Sequence, residues 1–176
     1  MVAQAQTNAA TNLPKITSNA ALANATETAA TGKSARDVAF GKTLVGTATP
    51  ATPASATAAG NVGVVAANVD TLQLKAGNKT YAYTIGATDT VNDIVNQINK
   101  SGIATASVDS MGQMQVIGTA SDALSINLGK VTADAFAPDA TETAKLLGSG
   151  STNGITGGGT SAARSALIDQ FNNLRT

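Results

Sequence analysis

The sequence predicts an α+β fold: a small, mainly antiparallel sheet with a ββαβββ unit packed by one helix, flanked by short helices and long loops. Three observations carry this. Runs of polar–apolar alternation recur between residues 69 and 128, one stretch among them switches to a helical period, and Gly, Asn and Asp punctuate the joins. Alternation sends successive side chains to opposite faces of a strand. Apolar residues at i, i+3, i+4 and i+7 gather on one side of a helix. A short helix lying across one face of a sheet buries both apolar surfaces at once.

Taken in order, Thr71-Leu72-Gln73-Leu74-Lys75 and Thr80-Tyr81-Ala82-Tyr83-Thr84-Ile85 alternate, and Ala76-Gly77-Asn78-Lys79 lies between them. Gly and Asn tolerate the positive backbone angles of a tight turn, so the pair reads as a hairpin. Val91, Ile94, Val95 and Ile98 then fall on one helical face, with Thr88, Asp89 and Thr90 as candidate N-cap oxygens and Asp93 in the first turn. Ser101-Gly102 marks the stop. Val and Ile are fair helix formers at best, so this helix is expected to need a sheet against its apolar side. Residues 103–108, 113–117 and 124–128 read as strands, with a turn at Asp109-Ser110-Met111-Gly112.

Outside this unit the signals are weaker. A helix is expected near residues 19–28, and short strands at Val38-Ala39-Phe40, at Thr43-Leu44-Val45 and within residues 61–68. Residues 47–60, with Pro50 and Pro53 among Ala, Thr and Ser, read as an exposed loop. Residues 133–138 read as irregular, residues 140–147 as a short helix stopped at Gly148, and residues 149–159 as a Gly-rich linker. Ser161 begins a last helical stripe of Leu167, Ile168, Phe171 and Leu174. Both ends of the chain break off in helical character. The domain division that follows is 1–14 as a helix stub, 15–160 as an inserted domain with the sheet-forming unit at 69–128, and 161–176 as the start of a second helix.

Composition narrows the function classes. The formal net charge is zero and no Lys/Arg cluster stands out, so nucleic acid is not expected as a partner. Charged residues make up 12% and aromatics 3%, leaving a neutral, small, hydroxyl-rich surface. No apolar run approaches the ~20 residues of a membrane span, and no Sec-type leader opens the sequence. With neither Cys nor His in the chain, no disulfide framework, thiolate metal site or imidazole base is available.

Individual residues add little chemistry. Gly32-Lys33-Ser34 suggests a phosphate loop, but Glu27 stands where that motif needs its first Gly, so a plain loop is expected. The glycines of residues 149–159 lack the order of a nucleotide cradle. Asp89, Asp93, Asp109 and Asp122 are the candidate carboxylates for catalysis. Helix-start roles for Asp89 and Asp93, and turn roles for Asp109 and Asp122, serve them better. No closely spaced acidic set suggests a metal. Tyr81 and Tyr83 share one strand face and suit stacking on a sugar; covering the sheet is the plainer expectation. Catalytic residues, cofactor and metal are therefore all expected to be none.

Certain stretches resemble bacterial flagellins. Val2-Ala3-Gln4-Ala5-Gln6-Thr7-Asn8 and Arg164-Ser165-Ala166-Leu167-Ile168-Asp169-Gln170-Phe171-Asn172-Asn173-Leu174-Arg175 are similar to the flanks of a break in the N-terminal helical region of that family. Residues 85–99, running on through 103–108, resemble the flagellin hook IN motif, which also occurs in hook-associated proteins. The resemblance implies a structural, non-enzymatic role in an extracellular filament, the bacterial flagellum, as a surface-exposed flagellin domain. Neighbouring flagellin subunits would be its partners, through core helices, with this fragment alone monomeric and no membrane or nucleic acid involved. A glycan-binding or adhesin module, or a domain of a hook-associated protein, is the alternative.

Overall fold

A computed structural model describes residues 13–148 except 19, 21, 47–59 and 121. The expected helix stub at 1–14 but for its last two residues, the loop at 47–60 but for Gly60, the linker and the last helix lie outside the described residues. Within them the fold is mixed α+β, with four helices and three mostly antiparallel sheets.

The chain enters through β1 (Lys15–Thr17), then forms two short helices, α1 (Ala25–Thr31) and α2 (Ala35–Gly41). Asn24 opens α1 by accepting from the Glu27 amide, and the Glu27 carboxylate answers by accepting from the Asn24 amide. This reciprocal box fixes the helix start six residues later than the Ala-rich composition suggests. Gly32, at φ 64°, ends α1, and Ser34 caps α2 through the Asp37 amide. Gly32-Lys33-Ser34 is therefore a helix–helix connection, as the plain reading had it. The expected strand at Val38-Ala39-Phe40 is instead the middle of α2. A Ser cap followed three residues later by Asp outweighs the strand preference of one Val.

β2 (Thr43–Val45) and β3 (Asn61–Val64) pair in parallel. The hairpin follows as expected: β4 (Thr71–Ala76) and β5 (Lys79–Thr84) pair in unbroken register around Gly77-Asn78. Positive φ falls on Gly77 and not on Asn78, the requirement of a type II′ turn. α3 (Val91–Lys100) buries Val91, Ile94, Val95 and Ile98 and is boxed by Thr90 and Asp93. Full burial contributes roughly 1.5–3 kcal/mol for each such side chain, so the core, not helix propensity, holds α3. β6 (Ala104–Val108), β7 (Met114–Gly118), β8 (Leu124–Thr132) and β9 (Ala135–Pro138) lead to α4 (Ala140–Leu147), which Gly148 closes.

The strands of the ββαβββ unit do not share one sheet. β6 and β7 pair with β1 in the order β1-β7-β6, while β5-β4-β8-β9 form a separate four-stranded sheet. One core joins them: Leu72, Leu74, Ile126 and Leu128 from the larger sheet with Val116, Met114 and Ile16 from the smaller, and Ile94 and Ile98 from α3.

The stretch at 133–138, expected to be irregular, completes a hairpin. Ala133 and Asp134 take φ of 49° and 65°, so the two-residue turn is of the I′ kind, built without Gly. That conformation strains a residue with a Cβ. Ala133→Asn combined with Asp134→Gly is expected to stabilise the protein by about 1 kcal/mol, seen as a higher urea midpoint. A midpoint that stays put or falls would mean the turn carries no strain.

Candidate functional site

The four candidate carboxylates do not converge. Asp93 sits inside the α3 box, accepting from the Thr90 amide at 2.9 Å and the Thr90 hydroxyl at 2.7 Å. Those two bonds, the amide first, hold its carboxyl below the usual range. Asp109 accepts from the Met111 and Gln113 amides, both at 2.9 Å, and so shapes the β6–β7 turn. Asp122 lies beside Gly77, close enough that a Cβ there would come within 3.0 Å of its carboxyl carbon. Together with Ala76, Asn78 and Lys79 it lines a shallow, open depression at the tip of the β4–β5 hairpin. Asp93 and Asp109 thus take the helix-start and turn roles expected of them. Asp89 does not cap α3. It accepts from the Gly86 amide and from the Tyr83 hydroxyl, each at 2.8 Å.

That last bond decides the tyrosines. Tyr83 donates to Asp89 and Tyr81 donates to Gln97 of α3 at 2.9 Å, and both rings pack against the core half-buried. The bond to Asp89, with burial behind it, raises the Tyr83 hydroxyl above its ordinary pKa. The pair covers the side of the sheet toward α3, the plainer of the two expectations.

Two polar clusters escaped sequence reasoning. In the first, Lys42 Nζ lies 2.7 Å from Glu27 Oε1, and both side chains are almost wholly buried. The spacing Asn24-x-x-Glu27 is that of a capping box and is a signal the sequence reading missed; no local signal shows that the carboxylate also meets a lysine fifteen positions away. In the second, Glu142 of α4 accepts from the Val65 amide at 2.9 Å, the Asn68 side-chain amide at 3.1 Å and Lys145 Nζ at 2.8 Å. Lys145 also donates to Gly63 O at 2.9 Å. The same helix seats Thr143 against β8, where its hydroxyl accepts from the Leu128 amide at 2.9 Å. No local pattern announces these partners, which come from chain segments 77 and 82 residues distant.

Burial alone would raise the Glu142 pKa, but Lys145, the Val65 amide and Asn68 outweigh it and bring the carboxyl below its usual value. Asp70 is lowered too, by the Thr71 hydroxyl first and then by the Val131 amide. For a carboxyl lowered on folding, the stabilisation is complete above the unfolded pKa, about 4.3 for Glu, and is lost as the pH falls through the folded value. The protein is therefore expected to lose thermal stability on going from neutral pH into the acid range below that value, and Glu142→Gln to lose less over the same interval. Parallel melting-temperature curves for the two proteins would contradict the assignment.

Among the described residues no group of three or more carboxylates is placed to hold a metal ion, and no helix is long and apolar enough to cross a membrane. The polar groups that are organised serve to fix helices to strands. On the far face of the larger sheet, Thr80, Ala82, Thr84 and Lys75 are exposed. Comparisons of the chain with protein-family models, with curated proteins and with solved structures found no match.

Proposed function

We propose that this chain is the surface-exposed outer domain of a bacterial flagellin, a structural part of an extracellular filament that acts by where it is held and what it displays. The observation that carries the reading is the approach of the two ends of the described body. Ser18, just past β1, lies 3.5 Å from the carbonyl oxygen of Leu146, near the end of α4. A domain grown into the turn between two helices must receive the chain and return it at neighbouring points, and Ser18 and Leu146 are such neighbours.

The residue resemblance of 85–108 to the hook IN motif supports the same reading, as does a surface of Thr, Ala, Asn and Gly with zero formal charge. On this reading the contacts to neighbouring subunits are made by core helices outside the described residues, and the domain alone is monomeric in dilute solution. The test is deletion. A parent subunit whose residues 15–160 are replaced by a short link is expected to assemble into filaments, thinner in electron micrographs than those of the full subunit. Complete loss of assembly would overturn the proposal.

A further inference from the structure

A strand at a sheet edge presents a row of unpaired N–H and C=O groups, and proteins close such rows. In this fold the closures are visible one by one. The Asn99 side chain accepts from the Ala106 amide at 2.7 Å and donates to its carbonyl at 3.3 Å, which blocks the outer edge of β6. Thr143 and β9 cover β8. Glu142 and Lys145 occupy Val65 N and Gly63 O along β3. The Leu44 amide of β2 donates to Asp89 O. β1 has three residues behind Pro14, and β9 ends in Pro138.

β5 is treated differently. It runs six residues, Lys79–Thr84, without a proline or a bulge, and among the described residues β4 is its one strand partner. Lys79, Thr80, Ala82 and Thr84 are exposed, and Lys79 is its single charge.

We propose that the β5 edge is a self-association surface, on which a second copy of this chain lays its own β5 antiparallel. A two-fold axis at Ala82 sets Ala82 against Ala82, Thr80 against Thr84 and Tyr81 against Tyr83 of the second copy, each on a matching face. Thr–Thr and aromatic pairs directly opposite are favourable cross-strand neighbours. Charge agrees with the same register. Lys79 then meets Ile85 of the second copy, next to the Gly86–Asp89 turn, where the Asp89 carboxylate is fixed 2.8 Å from the Gly86 amide. Each copy brings one ammonium to the other's carboxylate, and no like charges face each other. The contact is isologous and closes on itself, turning two four-stranded sheets into one of eight.

A six-residue edge falls short of the ~1,600 Å² that stable complexes bury. Dilute protein therefore stays monomeric, and the pairing forms where copies are concentrated or tethered side by side. It rests on β5 alone and stands or falls separately from the filament reading.

The absence of native cysteine gives a clean test. Ala82→Cys places two thiols across the axis. Thr84→Cys separates its two thiols by four residues of strand, roughly 13 Å, beyond the ~7 Å Cα limit for a disulfide. Under mild oxidation at millimolar protein, the first variant is expected to form covalent dimer about ten-fold faster than the second. Adding Lys79→Glu to Ala82→Cys, so that two carboxylates meet, is expected to slow dimer formation. Urea midpoints of the reduced variants, equal to that of the parent, establish that the comparison is between folded proteins. Equal rates for the two cysteine positions, or an Ala82→Cys rate untouched by Lys79→Glu, would overturn the proposal.

Discussion

Lys42→Ala is expected to destabilise the protein by about 3–5 kcal/mol, because it strands a buried carboxylate. Glu27 Oε1 is 2.7 Å from the lysine ammonium, and the two side chains are 1% and 7% exposed. The other oxygen, Oε2, accepts from the Asn24 amide, so the carboxylate cannot swing toward water without opening the start of α1. Lys42 is bound on its own account: its carbonyl accepts from the Val91 amide at 2.9 Å, at the start of α3. The pair thus ties α1 to the point where α2, β2 and α3 converge. The ion pair itself need not be strongly stabilising, since the desolvation of both charges offsets most of their attraction. The expected signature is therefore an asymmetry. Glu27→Gln together with Lys42→Met, which removes both charges and keeps the cap and the bulk, is expected to lie within about 1 kcal/mol of the parent. Urea unfolding of the parent, Lys42→Ala and the double variant measures this. A double variant as unstable as Lys42→Ala would show that shape, not charge, holds the site.

Ile98→Ala is expected to cost about 2–5 kcal/mol. Ile98 has no exposed surface, and it shares the inward face of α3 with Val91, Ile94 and Val95. The helix has ten residues, too few for independent stability in water, and all four of its buried positions are β-branched isoleucine or valine. Deleting methylenes at Ile98 therefore weakens the helix and the sheet contacts together. Asn96→Ala, on the exposed side, is expected to change stability by no more than about 0.5 kcal/mol. Amide exchange along α3 should accelerate in the first variant and not in the second. A loss below about 1 kcal/mol for Ile98→Ala would mean that α3 is not held by burial.

How much of this was legible beforehand varies along the chain. Between residues 71 and 118 local signals agreed with each other. The alternation of Thr71 to Lys75 matched the turn chemistry of Gly77-Asn78, and the period of Val91 to Ile98 matched the cap at Thr90 and the stop at Ser101-Gly102. Where signals were sparse, single residues misled. One Val suggested a strand at 38–40, whereas Ser34 and Asp37 start a helix. Nothing local marks Ala133-Asp134 as a hairpin turn, because neither residue is Gly or Asn; pairing of β9 with β8 imposes the positive φ. The candidate site followed the same rule. Asp93 and Asp109 bond backbone within four residues, and their roles could be read from spacing. Asp89 and Glu142 take partners from other elements, which spacing does not reveal.

By itself, the sequence determined the α+β class, the β4–β5 hairpin, α3 and its N-cap, and the strands β6, β7 and β8, because period and turn chemistry act between near neighbours. The tertiary structure decided which strands share a sheet, where Tyr81 and Tyr83 point, and that Glu27 and Glu142 are buried against lysines. It also decided that, among the described residues, β5 is the longest strand left at a sheet edge. Each of these depends on which distant segments meet, and that choice is made by the packing of the whole core rather than by any window of residues within it.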